Sequence, residues 1–163
     1  MKPERTQKKL TLAEAKFKAE HFCAYQERCH QEVEAKLKEW LVFGDWAAEV
    51  ILHLIEQNFL NEERFAKAYA GGKFRTQQWG RMKIKNELKK REISAYCMQL
   101  GMKEIDEDDY LKVLAQIANK KKKEIKAKSE WERNNKVSTY LIGRGFEPEL
   151  VWATLKSMPT EID

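Results

Sequence analysis

Between Lys73 and Arg91 the chain carries eight basic residues (Lys73, Arg75, Arg81, Lys83, Lys85, Lys89, Lys90 and Arg91) against the single acid Glu87. Surfaces built only for solubility mix both signs, so such a run points to a binding face for phosphate or for an acidic protein groove. Lys85 and Lys89 stand at i, i+4 with Arg81 one turn earlier, and this column avoids the apolar stripe of Ile84 and Leu88. Trp79, flanked by Arg75 and Arg81 within RTQQWGR, has two readings: it staples the start of a helix, or it touches a partner as aromatics among arginines do on single strands. A second basic run, Asn119 to Lys128, sets six lysines against Glu124. Its consecutive Lys120, Lys121, Lys122 and Lys123 point around a helix rather than along one face, which predicts attraction without geometry. By contrast, Glu39 to Glu63 holds six acids and no Lys or Arg, so the surface is expected to be banded.

No arrangement suited to catalysis accompanies these charges. The segment AGGKF, Ala70 to Phe74, has part of a phosphate loop, but Lys67 stands where its first glycine belongs and no Ser or Thr follows Lys73. Neither a zinc-protease helix nor a nucleophile elbow occurs. Paired carboxylates are expected solvated faces in a chain with 35% charged residues. His21, Cys23, Cys29 and His30 cluster in sequence, yet their spacing fits no common zinc pattern, and Cys23 belongs to an apolar helix face. The reading is a non-enzyme with no cofactor and no metal. Three cysteines without a CxxC pair are expected to be reduced, Cys97 acting as a small hydrophobe. No apolar run approaches a membrane span, and MKPERTQKKL lacks the apolar centre of a signal peptide, so a cytoplasmic protein without membrane contact is expected.

The elements that hold these residues are repeated. KLKEWLVFGDWAAEVILHLIE from Lys36 aligns without a gap to the segments starting at Lys83 and Lys136. In that alignment Leu37/Ile84/Val137, Leu41/Leu88/Leu141, Trp46/Ile93/Phe146, Val50/Cys97/Leu150, Ile51/Met98/Val151 and Ile55/Met102/Leu155 are apolar throughout. NEERFAKAYA from Asn61 likewise matches DEDDYLKVLA from Asp106. Spacings of 47 and 53 residues, Lys36 to Lys83 to Lys136, lie near the range of helical solenoid units. Lys, Glu, Ala and Leu outweigh Val, Ile and Thr, which favours helices.

The expected architecture is all-α, with three tandem three-helix repeats forming a curved, elongated array. A polar tail at 1–9 precedes repeat one at 10–60, repeat two at 61–105 and repeat three at 106–158, with a short tail at 159–163. Thr11, Asn61, Ser94, Asp106 and Ser129 are the expected N-caps, and Pro148 the first helical residue of the last helix. Trp46, Ile93 and Phe146 are expected to staple to Ile51, Met98 and Val151. With Leu37, Leu41, Phe65, Tyr69, Ile84, Leu88, Val137 and Leu141 these form the expected core. An array with distinct, capped ends is most simply a monomer, and arrays offer long binding surfaces more often than pockets.

The segment NFLNEERFAKAYAGGKFRTQQWGRMKIKNELKKREIS, Asn58 to Ser94, closely resembles the hallmark region of the RecX family of regulatory proteins. Family members there have an (F/Y)LNEERFA start, a short basic connector, then K-I-x-x-E-L and a KGI or KGV turn. ERCHQEVEAKLKEW from Glu27 and YLIGRGFEPELVWATL from Tyr140 resemble parts of the first and third family repeats, so the likeness runs from about Leu10 to Lys156. The resemblance implies a regulator of the RecA recombinase in recombination, DNA repair and the SOS response. Such proteins lie in the groove of the RecA–DNA filament, usually as inhibitors, with DNA contacted weakly or through the filament. Here Glu92 replaces the usual glycine of the repeat-two turn, and Gly101 interrupts a helix that is normally rich in alanine or leucine. The competing reading is a DNA-binding helical array acting directly. No helix start shows the Arg/Asn/Gln cluster of base reading, so direct binding would be salt-dependent and nearly sequence-blind.

Overall fold

A computed structural model describes residues 8–160, which contain nine helices and no strand. In chain order these are α1 (Leu12–Tyr25), α2 (His30–Glu39), α3 (Gly44–Glu56), α4 (Glu62–Gln77), α5 (Arg81–Lys90), α6 (Ala95–Met102), α7 (Glu107–Glu124), α8 (Glu130–Gly143) and α9 (Pro148–Ser157). They form three groups in which the first helix packs on the third, α1 on α3, α4 on α6 and α7 on α9, with the second bridging them. Helix starts follow the local chemistry. The side chains of Thr11, Asn61, Ser94, Asp106 and Ser129 each accept the backbone N–H three residues on, and Pro148 opens α9 where its missing N–H has no role.

One turn is made the same way three times. After α2, α5 and α8 the chain enters the left-handed region at Leu41 (φ 61°), Glu92 (φ 57°) and Gly145 (φ 99°). The next residue then donates its N–H back across the turn: Val42 to Leu37 (2.8 Å), Ile93 to Leu88 (3.2 Å) and Phe146 to Leu141 (3.2 Å). The left-handed residues donate to Lys38, Lys89 and Ile142, which completes a Schellman motif at each site.

This geometry corrects the register of the first repeat by one helical turn. The equivalent buried sets are Val33/Ile84/Val137, Leu37/Leu88/Leu141 and Val42/Ile93/Phe146. Leu41 is therefore not a core residue: it is 46% exposed at the left-handed position. Trp46 is 42% exposed inside the first turn of α3, so it does not staple the helix start. The slip arose because Leu37 and Leu41 are both apolar one turn apart, and either satisfies the pattern. Measured from Val33 to Ile84 to Val137, the repeats become 51 and 53 residues, more even than the gapless alignment allowed.

The described residues close two cores. Ala15, Ala19, Cys23, Val33, Leu37, Val42, Val50, Leu54 and Leu60 close the first group. α4 to α9 share a second core that includes Phe65, Phe74, Ile84, Leu88, Ile93, Tyr110, Leu114, Val137, Leu141, Phe146, Val151 and Leu155. Tyr69 and Met98 pack against it half-buried, as Ile51 does against the first. Cys29, at the start of α2, belongs to the second core and ties the first repeat to it. Burial pushes the Cys23 thiol up to about 11 and raises that of Cys29, which keeps both protonated at neutral pH.

Close backbone approaches explain two glycines. A Cβ on Gly101 would stand 2.6 Å from the Ala66 carbonyl oxygen, so this glycine lets α6 cross α4 at short range. A Cβ on Gly80 would collide with the backbone of Gly145. There the N–H of Gly80 donates to Arg144 (2.8 Å) and that of Met82 to Gly145 (2.9 Å), joining repeats two and three main chain to main chain.

Candidate partner-binding surface

The basic band of repeat two divides in space into residues that hold the fold and residues that face outward. Lys85 and Lys89 lie one turn apart on the exposed side of α5, opposite the buried Ile84 and Leu88, and neither forms an ion pair among the described residues. They are joined by Lys90, whose Nζ is 3.1 Å from Glu87 on the same helix. An open groove beside Lys89 and Lys90 has Lys83, Asn86 and Glu87 along the same wall and Ile142 with Gly143, from the end of α8, along the other, whereas Lys85 lines a separate groove with Glu107, Glu147 and Glu149. The first groove exists because Gly80 and Gly145 bring the two repeats into backbone contact. Its far wall could not be inferred from sequence, since it lies more than fifty residues from α5.

Arg81 does not complete the lysine column. Its Nε and Nη2 donate to the two carboxylate oxygens of Glu147 (3.2 and 2.8 Å) and its Nη1 to Glu107 (2.6 Å). The guanidinium also sits 4.0 Å from the centroid of Tyr110. The backbone N–H of Arg81 donates to the Tyr110 hydroxyl (3.1 Å), which in turn donates to Glu147 (2.9 Å). Hydrogen bonding to Glu147 holds the guanidinium charged more firmly than usual, and burial raises the Tyr110 hydroxyl well above its ordinary range. The expected partner contact is thus an internal strut, because two acids distant in sequence converge on it.

The remaining basic residues are partly engaged. Lys73 and Lys83 lie over the Trp79 ring at 4.8 and 4.2 Å, and Trp79 packs half-buried against the second core just after α4 ends. Of its two expected roles, packing at the helix junction is the one these contacts describe. Arg91 donates to the carbonyl of Glu87 (2.9 Å) and to its carboxylate (3.0 Å), and stacks on Tyr69 at 4.8 Å. Glu87 is correspondingly held below the usual carboxylate range, chiefly by Arg91. Arg75 is exposed in the last turn of α4.

The lysine tract also splits. Lys122 is only 1% exposed, with Nζ 2.6 Å from Glu130 and 3.1 Å from the Pro159 carbonyl. It falls four residues after Ala118 on the stripe of Tyr110, Leu114, Ile117 and Ala118, so helical phase turns it inward, where an acid and a carbonyl satisfy it. This removes Lys122 from the outward-facing set. Lys121 pairs with Glu124 (3.1 Å) and lies 4.3 Å over Tyr140, while Lys120 and Lys123 are exposed. What faces solvent is a set of lysines on α5 and α7 carried by two repeats that share one core, suited to binding anions.

Known proteins share this organisation. Sequence profiles for the second and third three-helix domains of RecX match residues 61–102 and 107–155. The regulatory protein RecX of Enterococcus faecalis is 27% identical over 145 residues, which cover 89% of this chain and 54% of the relative. That of Bacillus cytotoxicus is 24% identical over 152 residues, 93% of this chain and 56% of the relative. The chain spans about half the length of these curated relatives. The crystal structure of RecX from Lactobacillus salivarius superposes with a TM-score of 0.79 at 22% identity, covering 89% of this chain and 94% of that one. At that identity the likeness is one of fold.

Proposed function

Because the chain belongs to the RecX family of regulatory proteins, we propose that it binds the RecA recombinase assembled on DNA and restrains the filament's activity. The setting would be recombination, DNA repair and the SOS response in the cytoplasm. The observation that carries this reading is the exposed pair Lys85 and Lys89, neither in an ion pair among the described residues, with Lys89 set along a groove between two fused repeats. A filament groove offers acidic protein and phosphate together, and a rigid basic face meets both without base-specific contacts.

On this reading repeat two, taken as 61–105, supplies the contact, and repeat three, taken as 106–158, adds attraction through Lys120 and Lys123. No group in the surface is arranged for chemistry, and the protein acts by occupancy as a monomer. The test is co-sedimentation with single-stranded DNA at moderate salt, with and without RecA. Retention that requires RecA supports the proposal. Equal retention on bare DNA would instead favour a directly DNA-binding array.

A further inference from the structure

Helix α3 is apolar well beyond the face it buries. Its inner side, Val50 and Leu54 with Ala47 and Ile51, closes the first core. On its outer side Ala48, Leu52 and Ile55 fall within a stripe about 60° wide at 100° per residue. Leu52 is 54% and Ile55 48% exposed. Scattered exposed leucines need no explanation, but an apolar arc about 200° wide at 100° per residue is normally covered across its width. The other repeats show that their fold does not require this stripe. In the register fixed by the left-handed turns, Leu52 corresponds to Lys103 and Lys156, and Ile55 to Asp106 and Pro159.

Charge indicates what covers it. One border of the stripe carries Asp45, Glu49 and Glu56, and the surrounding run Glu39 to Glu63 contains no Lys or Arg. Glu49 is paired with Lys16 at 3.2 Å, whereas Asp45 and Glu56 form no ion pair among the described residues. Ile55 and Glu56 also end the helix, where the dipole favours positive charge. Beyond Ile55 the stripe opens into a groove bordered by Arg28, His30, Asn58, Leu60, Asn61 and Glu62, room for an anchoring side chain; Arg28 is engaged by the Phe22 ring and carbonyl and His30 by Glu34. We propose that this face docks a basic amphipathic helix of a partner protein, its apolar residues on Ala48, Leu52 and Ile55 and its Lys or Arg beside Asp45 and Glu56. Nucleic acid is repelled by the acidic border. A second copy of the chain would set the same acids against each other, a costly juxtaposition. The face lies on repeat one, apart from the lysines of α5, and stands whether or not those lysines bind a filament.

The test uses the full chain and a fluorescein-labelled 18-residue peptide of Leu and Lys, with Leu at i, i+3, i+4 and i+7. Anisotropy should show saturable binding, weakened at least ~10-fold by Leu52→Lys with Ile55→Asp, the residues that repeat two carries, at unchanged circular dichroism. A Leu/Glu peptide of the same pattern should bind at least ~10-fold more weakly. Should the apolar double variant misfold, Asp45→Lys with Glu56→Lys alters surface charge alone and should weaken the Leu/Lys peptide by at least ~5-fold. Undiminished binding to the folded variants, absence of binding to the native chain, or a dimer of the chain that the variants dissolve would each overturn the proposal.

Discussion

Arg81, which opens α5, and Glu147, the residue before α9, form a bidentate ion pair whose carboxylate also accepts a hydrogen bond from the hydroxyl of the buried Tyr110. The pair converts what would be two tandem modules into one unit, in company with the Gly80–Gly145 backbone contact. Glu147→Gln should leave the half-buried guanidinium undercompensated and destabilise the chain by about 1–3 kcal/mol, less than a fully buried pair because Arg81 is 24% exposed. In a double-mutant cycle with Arg81→Met, urea unfolding should give a coupling of roughly 1 kcal/mol or more. Additive effects would show the pair to be superficial.

The three left-handed turns differ in how well their residues suit them. Glycine tolerates such a conformation, whereas other side chains incur about 1–2 kcal/mol there. Glu92→Gly and Leu41→Gly should each stabilise the fold by roughly 0.5–1 kcal/mol, since the more flexible unfolded chain offsets part of the gain. Gly145→Ala should destabilise it, because the added Cβ would also stand 2.6 Å from the Lys83 nitrogen. Thermal unfolding of the three variants checks the signs together, and a loss on Glu92→Gly would contradict the turn assignment.

Gly101→Ala opposes two effects on one helix. Alanine favours α6 by about 1 kcal/mol through propensity, but the new Cβ meets the Ala66 carbonyl oxygen of α4. Overpacking of that kind costs about 1–3 kcal/mol, so a net loss is expected by chemical denaturation. A net gain would mean that α4 and α6 separate easily.

Periodicity and capping residues made the helices legible, and the phase of Ile84 and Leu88 correctly turned Lys85 and Lys89 outward. The first repeat was misread by one turn because Leu41 occupies a site where glycine would have marked the helix end, as Gly145 does in the third. Arg81 was misread because its acids lie 26 and 66 residues away, a convergence no local pattern encodes. Lys122 sat in plain view on the apolar stripe of α7, but a lysine tract suggests solvent unless helical phase is followed through it.

That tract gives a direct contrast. Lys122→Gln should destabilise the chain by about 1–3 kcal/mol, since Glu130 and the Pro159 carbonyl lose a buried cationic partner. Lys123→Gln should stay within about 0.5 kcal/mol of the parent and chiefly reduce the salt dependence of filament binding. Equal stability of the two variants would contradict the burial of Lys122.

On the proposed function, the outward lysines of α5 hold the RecA filament. Lys85→Glu with Lys89→Glu leaves Arg81 and its strut intact, so helicity and unfolding midpoint should stay at parental values. Affinity for RecA on single-stranded DNA should fall by ~10-fold or more, and inhibition of RecA ATP hydrolysis with it. Undiminished inhibition by this folded double variant would contradict the account.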